Sequence, residues 1–224
     1  MNDAEMPAGR TQPEPSWLDW AKRLQSMAQN GLTYSKDRYD IERYREIADI
    51  AFHMMAEGGG VPKNSVIDLF RFERGHATPK VDVRVAVFGS REDRDKILLV
   101  RERGDGGWTL PGGWADVNET PSEAAVRECL EESGYVVRVT RLLAAWDKRK
   151  HPHPPQAFFV CKLVFEAEIE SMESAGGDGF ETDGVAFFRR DSLPPLSLDR
   201  TVPSQIERLF ELHEMGPNVP ADFD

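Results

Sequence analysis

The chain lacks the means for several kinds of protein. It has only two cysteines, Cys129 and Cys161, in 224 residues. Two thiols make no disulfide framework, and nothing in their spacing suggests zinc. No apolar run approaches the roughly 20 residues needed to cross a bilayer. Basic residues are in deficit: 28 Lys plus Arg stand against 39 Asp plus Glu, a net charge of -11. That excludes a binder of DNA or of an anionic membrane that works by bulk charge. The N-terminal stretch has no basic region followed by an apolar core, so no secretory signal is expected there. Residues 1–15 hold Pro7, Pro13 and Pro15 and few apolar groups, and they read as a mobile tail. The expected compartment is the cytoplasm.

What is present is an ordinary globular composition, 40% hydrophobic and 30% charged. The length fits one large domain, or a medium domain with a small companion. The acid surplus has two readings: a solubilising coat, or a cluster of carboxylates built for a hard metal ion.

The texture of the chain divides near residue 79. Before it, helical patterns dominate. Ser16 is placed to cap a first helix, with Asp19 three residues on. Trp17, Trp20, Ala21, Leu24, Met27 and Ala28 form its apolar stripe, and Asn30-Gly31 is expected to end it. A second helix is expected from Asp40 to Glu57 and a short third one from Ser65 to Phe72. Three short helices give a thin core, and two tryptophans on the first are a large apolar load. After Ala77-Thr78-Pro79, Val81, Val83, Val85 and Val87 alternate as a strand. Further strands are expected at Ile97–Val100, Val136–Trp146, Ala157–Ile169 and Gly184–Phe188. A helix is expected at 119–133, between the chain's second and third strands, and another at Thr201–Glu214. That order reads as α/β, a mixed sheet covered by helices.

The chemistry sits in residues 111–135. Pro111-Gly112-Gly113 is a sterically open loop that lets backbone approach a ligand. Thr120, Pro121 and Glu123 supply the cap, first-turn proline and capping-box acid of a helix. Along it, Glu128, Glu131 and Glu132 stand at i, i+3 and i+4 and share a face. Three like charges so placed repel, and only Arg127 is near to offset them. A divalent cation removes the conflict by accepting carboxylate oxygens.

Residues 113–135 resemble the Nudix box: Gly, five residues, Glu, seven residues, then Arg-Glu-hydrophobic-any-Glu-Glu-any-Gly-hydrophobic. Gly113, Glu119, Arg127, Glu128, Cys129, Glu131, Glu132, Gly134 and Tyr135 fill its specified positions. At average composition a chance match is on the order of one in ten million, so an accidental pattern on a surface helix is set aside. The resemblance implies a Nudix-type α/β/α sandwich over residues 79–224. It implies hydrolysis of a nucleoside diphosphate linked to another moiety. It implies Mg²⁺ or Mn²⁺ on Glu128, Glu131 and Glu132, with a backbone carbonyl of Gly112 or Gly113. Arg127 is then expected to pair with Glu119 and hold the box carboxylates in place. Glu181, in a glycine-rich stretch before a strand, is the candidate further base or ligand, with Asp183 its competitor. A nucleotide-sensing module of this kind usually lacks box carboxylates, and none is missing here. The acidic balance disfavours an RNA-processing role.

Residues 16–40, with Trp17-Leu-Asp-Trp-Ala-Lys22 and Gly31-Leu-Thr-Tyr-Ser-Lys-Asp37, resemble the helical N-terminal extension of one Nudix subgroup. So does the pairing of residues 77–84 with Leu193-Pro-Pro-Leu-Ser197 and Arg200. That subgroup spans ADP-ribose and CDP-choline pyrophosphatases. The resemblance implies an all-helical dimerisation domain over residues 16–78, hence a homodimer. It leans to CDP-choline or a related CDP-alcohol as substrate, with ADP-ribose close behind. For substrate phosphates the candidates are Arg101 and Arg103, and the basic island Lys148, Arg149, His151 and His153.

Overall fold

The computed structural model describes residues 14–90, 93–172 and 181–224. The first thirteen residues of the expected N-terminal tail lie outside these. The chain divides into two units, residues 1–79 with 154–159, and residues 80–153 with 160–224.

The first unit is three helices: α1 (Ser16–Tyr34), α2 (Arg38–Gly59) and α3 (Lys63–Phe70). Helix α1 differs from its sequence reading in three ways. Pro15, not Ser16, is the capping position, and no side chain caps it. The helix runs through Asn30-Gly31 to Tyr34, and the Tyr44 ring of α2 packs where any side chain at Gly31 would stand. Its buried face is Leu18, Ala21, Lys22, Gln25 and Ala28, while Trp20 and Met27 are 56% and 55% exposed. Lys22 is tolerated inside because its Nζ reaches Glu14 at 2.6 Å and lies over the Phe159 ring. Asp37 caps α2 by accepting from the N–H groups of Tyr39 and Asp40, and Gly60 closes it in the left-handed region at φ 62°. Leu18, Ala21, Met55, Ala56, Val66 and Phe70 form the core of this unit.

Among the described residues, the second unit contains two sheets and two α-helices. Its strands are β1 (Lys80–Ala86), β2 (Lys96–Glu102), β3 (Trp108–Thr109), β4 (Tyr135–Asp147), β5 (Val160–Met172), β6 (Thr182–Arg189) and β7 (Asp222–Phe223). Its helices are α4 (Pro121–Ser133) and α5 (Pro203–Glu214). One sheet is mixed, in the order β1-β5-β4-β7, and the other is antiparallel, in the order β3-β2-β6. This is the expected mixed-sheet α/β architecture with a helical region before it. The two-residue strands β3 and β7 carry no periodicity of their own and exist only through their partners.

Strand β1 serves two cores because successive side chains point to opposite faces. Val83 and Val85, with Val87 just past the strand, pack with Ala124, Ala125 and Cys129 of α4. Ala86 faces the other way, toward Ile97, Leu99, Trp146, Val164 and the α5 residues Ile206, Leu209 and Phe210. Asp82 and Arg84 share that second face and are nonetheless buried. No helix among the described residues is long and apolar enough to cross a membrane.

Candidate active site

Helix α4 forms where its local signals place it. Thr120 accepts from the Glu123 N–H, Glu123 returns a bond to the Thr120 N–H at 2.8 Å, and Pro121 opens the first turn. Gly134 ends the helix at φ 75°. Ala124, Ala125 and Cys129 are buried along one side, which fixes the helix rotation and sends Glu128 and Glu132 toward the Gly112-Gly113 loop.

That loop lies along β1. The Val85 N–H donates to the Pro111 carbonyl and the Val83 N–H to the Gly113 carbonyl, both at 2.8 Å. The Ala115 N–H donates to the Val81 carbonyl at 3.0 Å. The Gly113 carbonyl is therefore engaged by β1. The Gly112 N–H donates to Glu132 Oε2 at 2.8 Å. A Cβ at Gly113 would stand 2.9 Å from Glu128 Oε1, so a glycine is needed for that carboxylate to approach.

The four box acids do not have equal surroundings. Glu132 is 6% exposed, and burial pushes its carboxyl up to about 8, against the opposing charge of Arg84 and the Gly112 N–H. Burial also raises Glu128, partly offset by Arg127. Glu131 is exposed and meets Arg127 Nη1 at 3.0 Å. Glu119 receives two Arg127 donors, Nη2 at 2.7 Å and Nε at 3.1 Å, and these bonds hold it below its ordinary value. The same guanidinium reaches Glu128 Oε1 at 3.0 Å. The expected pairing of Arg127 with Glu119 is thus present, and Arg127 braces three of the box acids together.

Among the described residues, no three acids, histidines or cysteines are already drawn together in a metal-holding group. What fits a hard cation is the donor set itself. Two half-buried or buried carboxylates, Glu128 and Glu132, have their charged forms disfavoured and lie beside a glycine-lined opening. A cation there would reverse that penalty.

The other sequence candidates fall into separate groups. Arg103 N–H donates to the Glu181 carbonyl at 3.0 Å, and Thr182 Oγ1 donates to the Glu132 carbonyl at 2.9 Å. The start of β6 is thereby tied to the end of α4, which sets Glu181 next to the box. Most of the glycine-rich stretch before Glu181 lies outside the described residues. Arg101 is held by Asp183 at 2.7 Å and lies over the Trp108 ring. Asp183 therefore has an arginine partner of its own.

The basic island divides. Lys148 is buried, and burial lowers its pKa, while Asp199 and Asp82 act in the other direction. It belongs with the charges under β1. Arg149 is instead clamped to Asp147, with Nη2 at 2.5 Å from Oδ2, and His151 packs on Trp146 with Nε2 3.5 Å from Asp224. His153 is buried, its Nδ1 bound to the Leu198 carbonyl at 2.7 Å, and burial drives its pKa down to about 3, so it is neutral at ordinary pH. The structure does not gather these four residues into one basic patch.

Residues 77–84, Ser197 and Arg200 entered the sequence reading as a subgroup resemblance, without a sign that they form a buried charged group beneath the loop. Arg84 donates to Asp82 through Nη2 and Nε, and Lys162 also donates to Asp82. Arg200 pairs with Glu102 at 2.8 Å, and Ser197 Oγ donates to Asp105 at 2.7 Å. The available signal was an Asp and an Arg at alternate positions of a valine-rich strand. Period-2 alternation alone reads such residues as solvent-facing.

Two family signatures match the chain. Residues 15–70 match the "UDP-X-like, N-terminal oligomerisation domain" and residues 79–210 match the "NUDIX domain". A Bacillus subtilis (strain 168) protein described as a putative ADP-ribose pyrophosphatase, YjhB, is 44% identical over 198 residues, 88% of this chain and 92% of that one. A crystal structure of a UDP-X diphosphatase is similar with a TM-score of 0.59 and 29% identity, covering 93% of this chain and 98% of its own. An ADP-ribose pyrophosphatase structure from Streptococcus suis 89-1591 has a TM-score of 0.56 and 36% identity, covering 66% and 100%.

Proposed function

This chain belongs to the Nudix hydrolases, and from that premise we propose that it splits the pyrophosphate bond of ADP-ribose in a Mg²⁺-dependent reaction, releasing AMP and ribose 5-phosphate. The family places it among pyrophosphohydrolases that act on a nucleoside diphosphate linked to another moiety. The observation that carries the reading is the pair Glu128 and Glu132 at the Gly112-Gly113 loop, with Arg127 bracing Glu119, Glu128 and Glu131 around them.

Glu128 and Glu132 would hold the divalent cation. Glu131 would join them by exchanging its bond to Arg127, and the Gly112 carbonyl would add a neutral oxygen. Bound there, the cation would neutralise pyrophosphate charge and lower the pKa of a coordinated water. The protein's own part is positioning. Arg127 fixes the carboxylates, and the Gly112 N–H orients Glu132. Glu181 stands as the candidate for taking a proton from the attacking water. Arg101, in β2, and Arg103, just beyond its end, are the candidates for a substrate phosphate.

ADP-ribose is put first because two of the relatives above carry that activity in their descriptions. CDP-choline, favoured by the N-terminal resemblance, is the second reading. A hydrolysis screen in Mg²⁺ over ADP-ribose, CDP-choline, CDP-ethanolamine, NADH and nucleoside triphosphates tests the ranking. ADP-ribose is expected to give the highest kcat/KM. A higher value for CDP-choline reverses the order, and no turnover of any of them removes the enzymatic reading.

The oligomerisation domain is proposed to make a homodimer through one face of α1. Trp20, Met27 and Tyr34 recur every seven residues there, and all three are exposed. A tryptophan more than half exposed in line with two further apolar residues is a contact surface in search of a partner. Wild-type protein is expected to run as a dimer in light scattering, and Trp20→Asp with Met27→Asp as a folded monomer. A doubly substituted protein that remains a dimer places the interface elsewhere.

A further inference from the structure

We propose that Arg84 is a positioning residue for the carboxylate site, acting through the Leu110–Gly113 loop; this rests on the metal-dependent reading above. The geometry leads there in three steps. First, the guanidinium spans two segments 26 residues apart. Its Nη2 and Nε meet Asp82 Oδ1 at 2.8 and 3.1 Å, and its Nη1 meets the Leu110 carbonyl at 3.1 Å. Second, the Leu110 N–H is held as well, by Thr201 Oγ1 at 3.4 Å, and that hydroxyl pairs with Thr109 Oγ1 at 2.8 Å. Both backbone groups of Leu110 are thus anchored from buried side chains. Third, two residues further on, the Gly112 N–H receives Glu132. A shift of the loop moves that donor and the glycine opening beside Glu128 together.

Asp82 is itself fixed from the far side. Lys162, its register partner on β5, donates to it and to the Arg200 carbonyl at 2.7 Å. Burial would raise the Asp82 carboxyl, and the charges of Arg84 and Lys162 outweigh that and lower it. The group is an anionic anchor between two cations, reaching from β1 to the segment before α5.

Stability alone does not explain this arrangement. A buried ion pair is often no better than well-packed apolar residues of the same volume, so its presence points to geometry. Nor is Arg84 free to bind substrate. It is 5% exposed, and its Nε, Nη1 and Nη2 are all engaged by protein acceptors. A planar fork is what the two-segment clamp requires, and lysine does not supply one.

The test uses Arg84→Lys and, as a milder probe of the same loop, Thr201→Val. Three quantities are read: kcat and KM at saturating Mg²⁺, Mn²⁺ affinity of the protein without substrate by electron paramagnetic resonance, and thermal unfolding. For Arg84→Lys, which keeps the charge, the expected result is about a hundredfold fall in kcat with KM within about threefold. Mn²⁺ binding should weaken about tenfold in the still-folded protein. Thr201→Val should move kcat and Mn²⁺ affinity in the same direction by a smaller factor. Wild-type kcat and Mn²⁺ affinity in Arg84→Lys would overturn the proposal. If Arg84→Lys does not fold, wild-type values in Thr201→Val overturn it. A wild-type protein that neither binds Mn²⁺ nor hydrolyses any substrate is a different failure, that of the metal-dependent reading itself.

Discussion

Glu132→Gln is expected to cost about a thousandfold in kcat, since one metal-holding carboxylate contributes several kcal/mol of charge stabilisation in the transition state. The same substitution is expected to stabilise the metal-free protein at alkaline pH. Burial pushes the Glu132 carboxyl up to about 8, whereas in the unfolded chain it returns to about 4.3. Between those values the folded state holds a proton that the unfolded state has released, so metal-free stability falls as pH rises through that window. Glutamine carries no charge and keeps an oxygen for the Gly112 N–H, so the part of the fall that Glu132 contributes should disappear. Thermal unfolding in a chelator should show the variant more stable than wild type at pH 8.5 and nearly equal at pH 4. Added Mg²⁺ should raise wild type more than the variant at the higher pH. Turnover within tenfold of wild type would remove Glu132 from the site. A variant less stable than wild type at pH 8.5 would show that the buried carboxylate carries no penalty.

The two adjacent glycines of the loop are expected to fail in different ways. Gly112 has φ 141°, a conformation side chains rarely adopt, and a Cβ there would overlap the Val83 carbonyl oxygen. Its neighbour is β1 backbone, paired with β5 on one side and bonded to the loop on the other, and has nowhere to go. Gly112→Ala is therefore expected to lose about 3 kcal/mol or more of stability, with activity lost as the loop lifts from β1. For Gly113→Ala the three nearest atoms all belong to the Glu128 carboxylate, the far end of a side chain that is able to swing away. It should unfold in urea within about 1 kcal/mol of wild type, yet lose most of its kcat because Glu128 is displaced. Equal stability losses in the two variants would mean that the loop does not lie on β1 as described.

Where one segment contains all the partners, the sequence was enough. The α4 cap needs only Thr120, Pro121 and Glu123, and its buried side needs only Ala124, Ala125 and Cys129 at helical spacing. The bracing of Glu119 and Glu128 by Arg127 also lies within ten residues. Strand β1 was legible from its alternating valines and β2, β4, β5 and β6 from their apolar residues, although their ends moved by a few residues.

What needed the tertiary structure was set by partners distant in sequence. Gly31 reads as a helix end, yet α1 continues through it, and the Tyr44 ring packed on it shows what the glycine is needed for. Lys22 reads as a surface residue until Glu14 and Phe159 close around it. The basic island reads as one patch, but Asp147, Asp224 and the Leu198 carbonyl draw its members to different places. Most of all, no local pattern shows that Asp82, Arg84 and Lys162 meet. Their charges become an anchor only when β1 and β5 pair in parallel and the segment before α5 closes over them. The sequence by itself determined the family, the box helix and the carboxylates it carries. The tertiary structure alone decided which of those carboxylates is buried and what holds the loop beside it, because burial and charge pairing depend on neighbours that no local pattern encodes.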